Sequence, residues 1–180
     1  KDVKTITKIV IEETEKNRVE LTKTAKGWMV NNKYIVRDEL INQLLGVISK
    51  LESLSPVPAN GHDNVMREMI DHHVKAEIYT GGQQPAKSYW VGGPNVEKNG
   101  TYMLLQVGDN PASRPHITYV PDYRGYVTPV YCTDEETWRS RILYNITDIK
   151  KLESLAIDYP AKPGNSFSLA RVSDDSFAVY

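Results

Sequence analysis

Val74-Lys75-Ala76-Glu77-Ile78-Tyr79, Ala86-Lys87-Ser88-Tyr89-Trp90-Val91, Tyr102-Met103-Leu104-Leu105-Gln106-Val107 and Ile117-Thr118-Tyr119-Val120 are four runs with strand character, rich in β-branched and aromatic residues. Gly81-Gly82 separates the first two, and Asn99-Gly100 precedes the third. Links this short leave no room for crossover helices, so the runs are expected to pair antiparallel.

Upstream, the same character returns before a change of period. Ile9 and Ile11 recur at the period of a strand on either side of Val10, and Val19-Glu20-Leu21 keeps that period after the turn at Glu15-Lys16-Asn17. Gly27-Trp28-Met29-Val30 follows, then Asn31-Asn32, a pair tolerant of positive φ. This predicts a meander. From Asp38 the apolar residues Leu40, Leu44, Val47, Ile48 and Leu51 take helical spacing. A helix is expected over Asp38 to Leu54, with Asp38 as N-cap and Pro56 and Pro58 closing it. A second helix is expected over His62 to Asp71, with Val65, Met66, Met69 and Ile70 buried. Both are expected on one face of the sheet.

Downstream, Thr133-x-x-Glu136 reads as a capping box for a short helix from about Asp134 to Ile142, with Trp138 and Ile142 facing inward. The tail then echoes the head. Val3, Ile6, Ile9 and Ile11 have the spacing of Ile149, Leu152, Leu155 and Ile157. Val19-Glu20-Leu21 corresponds to Phe167-Ser168-Leu169, and Trp28-Met29-Val30 to Phe177-Ala178-Val179. The expected organisation is one α+β unit over residues 1–145 and the opening meander of a second over 146–180, packed on or beside the first. The parent chain is expected to be longer at both ends.

The net charge of −1 carries no basic excess of the kind nucleic acid selects. A single cysteine, Cys132, excludes an internal disulfide and a cysteine-cluster metal site. No apolar run approaches the ~20 residues that span a bilayer. His62, His72 and His73 lie close together, but His72 and His73 are adjacent and face apart on helix or strand alike, so no metal site is assigned. Val91-Gly92-Gly93-Pro94 is read as a turn, because a phosphate cradle needs glycines leading into a helix. There is no Gly-x-Ser-x-Gly elbow, and no catalytic residue or cofactor is assigned. Asn99-Gly100-Thr101 and Asn145-Ile146-Thr147 match the glycosylation sequon, a frequent accidental pattern.

Eleven tyrosines stand against two phenylalanines, and four of them crowd the segment Tyr119 to Tyr131. Tyr119, Tyr123, Arg124 and Tyr126 are the contact candidates there, since tyrosine rings make low-entropy anchors. Arg139 and Arg141 are added as candidate anion contacts, with Asp134, Glu135 and Glu136 in reach for ordinary ion pairs.

Ser55-Pro56-Val57-Pro58, Val91-Gly92-Gly93-Pro94 leading to Gly100-Thr101-Tyr102-Met103-Leu104, and Gly125-Tyr126-Val127-Thr128-Pro129 with Trp138-Arg139-x-Arg141 resemble a bacterial family known as domain of unknown function 4340. The resemblance covers the whole chain. It implies an extracytoplasmic envelope protein built of repeated units, held to the membrane only through an N-terminal anchor that this chain lacks. It also implies service to an ABC-type transport or gliding assembly, and no catalytic residues. The function expected is thus a non-enzymatic interaction module with a protein partner in the envelope. A ligand- or glycan-binding domain is the alternative, and would need a deep pocket lined by tyrosine and Trp90. A hydrolase comes third, and would need a serine bonded to His62, His72, His73 or His116.

Overall fold

A computed structural model describes residues 2–14, 16–107, 110–142, 146 and 148–180. The chain forms two compact units, Lys1–Arg141 and Ile142–Tyr180. Among the described residues, no helix is long and apolar enough to cross a membrane.

In the first unit the elements are β1 (Lys8–Glu12), β2 (Arg18–Thr24), β3 (Gly27–Val30), β4 (Tyr34–Ile35), α1 (Asp38–Lys50), β5 (Glu52–Pro56) and α2 (Ala59–Asp71). Then come β6 (Val74–Tyr79), β7 (Lys87–Pro94), β8 (Thr101–Val107), β9 (Asn110–Pro111), β10 (His116–Tyr119) and α3 (Glu135–Trp138). The α+β architecture and the antiparallel sheet are as expected. Strand order is β4-β3-β2-β1-β6-β7-β8-β10-β5, with β9 also against β8. The Asn31-Asn32 turn carries φ values of 50° and 56°, the region these side chains tolerate.

The helices do not share a face. Along a strand, successive side chains point to opposite sides. Tyr89, Val91 and Met103 join the cluster that holds Ile41, Leu44, Val47 and Ile48 of α1. Their neighbours Trp90, Tyr102 and Leu104 join the cluster of Val65 and Met69 from α2. The reason is topological. β5 was read as the end of the helix, yet it is an edge strand paired with β10. The chain therefore crosses one face in α1 from β4 to the far edge, and returns across the other face in α2. With α1 about 20 Å long and eight flat strand spacings near 38 Å, the sheet must curl around α1.

Local details follow from the same competition. α1 ends at Lys50 because Glu52–Pro56 pairs with β10; Arg37 is its N-cap, and Asp38 sits in the first turn, where its charge favours the helix dipole. α2 buries Val65 and Met69 but leaves Ile70 60% exposed, a narrower stripe than expected. The Gly92-Gly93 pair is not a turn; it lies in β7, beside a register shift between Val91 and Pro94. A Cβ on Gly92 would come within 3.1 Å of Met69 Cγ, so the glycine lets α2 sit directly on the strand.

The long segment after β10 is bonded to the sheet. Val127 N donates to Thr101 Oγ1 (2.8 Å), Thr128 Oγ1 donates to Gly92 O (2.7 Å), and the phenol groups of Tyr89 and Tyr131 meet at 3.0 Å. α3 is a single turn whose N-cap is Asp134, not Thr133; Asp134 Oδ2 accepts from Thr137 N and Thr137 Oγ1. The helix stops at Trp138, so Trp138 is buried while Ile142 is 68% exposed. Beyond α3 the chain closes the outer side of β4: Arg37 N donates to Trp138 O, Ser140 N donates to Ile35 O, and Val36 bridges Arg139.

The second unit is a three-stranded meander of β11 (Ser154–Ile157), β12 (Phe167–Ser173) and β13 (Ser176–Val179). Its apolar pairs take the registers of the head meander, although β12–β13 has a register shift between Arg171 and Ser173 that β2–β3 lacks. Leu155 faces Leu169 as Ile9 faces Leu21, and Ile157 faces Phe167 as Ile11 faces Val19. Leu169 faces Val179 as Leu21 faces Val30. Each meander is preceded by a 3₁₀ turn capped by an aspartate, Asp2 on Lys4 N and Asp148 on Lys150 N.

Candidate functional site

The six contact candidates do not gather into one surface. Tyr119, on β10, donates its hydroxyl to Glu52 on the β5 edge (2.9 Å). Tyr123 packs against the main core and lines a cavity of about 190 Å³ with Leu40, Cys132 and Trp138. Arg124 and Tyr126 are exposed. At the opposite end of the strand order, the Arg139 guanidinium lies 4.4 Å from the Tyr34 ring centroid, and Arg141 is exposed beyond it. The expected acids are engaged elsewhere: Asp134 caps α3, and Glu135 accepts from Asn31 Nδ2. Tyr131 is buried, with its phenol and that of Tyr89 pushed upward by burial, Tyr89 to about 12. Tyrosine richness here is thus partly core, and the sequence alone does not separate the two uses.

The histidines are dispersed as well. His62 bonds Asp63 and Ser113 O, which hold its proton above the usual imidazole range. His73 stacks on Trp90 at 4.0 Å on the α2 face, and burial lowers its affinity for a proton. His72 is exposed. His116 is the informative one: Ser53 Oγ lies 2.7 Å from its Nδ1. That is the serine–histidine pairing a hydrolase requires. Among the described residues no carboxylate bonds the other ring nitrogen, the group that would orient a general base. The Asn99 amide is tied to Asn95 and Glu97, and the Asn145 sequon lies outside the described residues.

His116 also borders the most site-like feature of the first unit. A cleft of about 340 Å³ opens on the α1 face where the C-terminal end of α1 stops short of β8 and β10. Ile48 and Leu51 form one wall, and Ile78, Tyr89, Met103, Leu105 and Ala112 form the floor. Lys87, Arg114, His116 and Thr118 complete the lining. Leu105 is 50% exposed although its neighbour on the same face, Met103, is buried. The size and the apolar lining with a few polar groups are those of a small-molecule site. Trp90, expected in such a pocket, points to the other face, while Tyr89 is present. The adjacent Leu104-Leu105 was the available sequence signal: two consecutive apolar residues in one strand require cover on both faces.

No protein-family model, curated protein or solved structure matches this chain.

Proposed function

We propose that this chain is a non-catalytic binding module of an anchored bacterial envelope protein, and that the apolar part of its ligand enters the cleft beside Leu105. The single observation carrying this reading is a sheet face covered by α1 over β1 and β2 but open at Leu105 of β8, with apolar floor and walls. Support for the envelope setting, for a protein partner there, and for service to a transport or gliding assembly is the motif likeness. Coincident apolar pairs in the two meanders fit a chain of such modules in series. Neutral N-phenylnaphthylamine should give a saturable fluorescence rise with the chain. Leu105→Arg, which places a charge in the cleft, should weaken it about tenfold or more. Equal signals from both proteins would refute cleft binding.

A second reading, ester hydrolysis, is favoured by the Ser53–His116 pair at the cleft border. Here Ser53 Oγ would attack an acyl carbonyl as His116 takes its proton, the alcohol would leave with that proton, and water would release the acid. If so, Ser53→Ala should lower turnover of short-chain nitrophenyl esters about a hundredfold or more. Identical slow rates for wild type and variant would make the pair purely structural.

A further inference from the structure

The cleft has a chemical asymmetry that selects among apolar ligands, and we propose that it takes a single-chain amphipathic anion, an alkyl chain ending in a carboxylate or phosphate. This rests on the binding reading above and specifies its ligand. The tail would lie along Ile78, Met103 and Leu105 beneath Ile48 and Leu51. The head would sit between Lys87 and Arg114, the two cations of the lining.

Charge decides the sign. The chain as a whole carries −1, yet among the described residues the ionisable side chains that line the cleft are Lys87, Arg114, His116 and the buried, neutral Tyr89. Two carboxylates among the described residues of this region are otherwise committed: Glu52 accepts from Tyr119, and Asp63 accepts from His62. Cations grouped at the mouth of a low-dielectric cleft focus a positive potential on whatever enters it. One wall opposes this, because α1 presents its C-terminal, negative pole at Lys50 and Leu51. The head is therefore placed over β8, flanked by Lys87 of β7 and by Arg114 of the link between β9 and β10, and the helix end is left to the apolar tail.

Shape points the same way. The lining is apolar on the floor and along the helix wall, and its cations come from β7 and from the link before β10. A compact polar metabolite would leave Leu105 uncovered. A neutral hydrocarbon would draw nothing from Lys87 and Arg114.

Calorimetric titration of the chain with decanoate, decyl phosphate, decanol and decylamine, each below its micelle concentration, tests this directly. Decanoate and decyl phosphate should bind at least tenfold more tightly than decanol, with decylamine weakest. Lengthening octanoate to decanoate should tighten binding about fourfold per methylene. The double variant Lys87→Glu, Arg114→Glu should reduce decanoate to the level of decanol and leave decanol unchanged. Either order between decanoate and decyl phosphate supports the proposal, and identifies a fatty acid or a phosphorylated lipid as the source. Equal affinity for decanoate, decanol and decylamine would overturn the anion assignment while leaving the cleft as a binding site. Failure of all four to bind would overturn both.

Discussion

Replacing Trp138 by alanine will lower the stability of the first unit by about 3–5 kcal/mol, the usual cost of emptying a buried tryptophan site. The side chain is 1% exposed and is among the largest fully buried groups of the chain. Its indole Nε1 donates to Cys132 O at 2.8 Å, and its own backbone carbonyl accepts from Arg37 N at 2.9 Å. One residue thus fixes α3, the segment before it and the entry to α1. A four-residue helix has no stability of its own, so removing the anchor also frees the segment it holds. Urea titration followed by circular dichroism reads the effect. A loss below about 1 kcal/mol would mean the segment after β10 contributes little to the core. Trp138→Phe should retain most of the packing and lose about 1–3 kcal/mol for the orphaned Cys132 carbonyl.

Gly100→Ala will destabilise the fold by about 1–3 kcal/mol or more, as overpacking against a fixed backbone does. A Cβ there would lie 2.8 Å from Ile117 Cγ2 and 2.9 Å from Thr118 O. The carbonyl cannot retreat, because Thr118 is registered against Thr101 on one side and Ser53 on the other. Nor can Gly100 move away easily: its N–H donates to Asn95 Oδ1 at 3.0 Å, and its carbonyl accepts from Asn95 N. The same chemical change at Gly46, inside α1 with nothing within 4 Å of the added carbon, should stabilise by about 0.5–1 kcal/mol. Thermal melting of the two variants should move in opposite directions, by about 2–4 °C per kcal/mol for a chain of this size. Matching shifts would show that the tight contact at Gly100 does not govern the response.

What could be read from the sequence follows from what is local. β3 and β6 were recognisable to the residue, because alternation and turn residues act over a few positions. The body of α1 was equally clear from its apolar stripe. Competition defeated the rest. Thr133-x-x-Glu136 and Asp134-x-x-Thr137 both satisfy a cap pattern; the aspartate wins because a carboxylate accepts two bonds from Thr137. Gly92-Gly93 resembles a turn in one dimension, and only the approach of Met69 reveals why a strand needs glycine there. The helices were placed on one face because nothing local says that β5 crosses to the far edge. For the same reason the cleft was illegible: its walls come from α1, β6, β7, β8 and β10, which meet only after the sheet is assembled. Tyrosine count gave no better guide, since Tyr131 is core and Tyr126 is surface.

The way the large sheet ends has a consequence for the chain in concentrated solution. Unpaired strand edges are templates onto which another molecule can add by backbone hydrogen bonding. At one margin β4 is two residues long, and Trp138 to Ser140 already occupies its outer groups. At the other, β5 carries a charge at Glu52, a proline without an N–H at Pro56, and a register break opposite Ile117 and Thr118. Neither margin offers a straight, vacant ladder, so fibrillar growth by edge-to-edge stacking of this sheet is obstructed by the native structure itself.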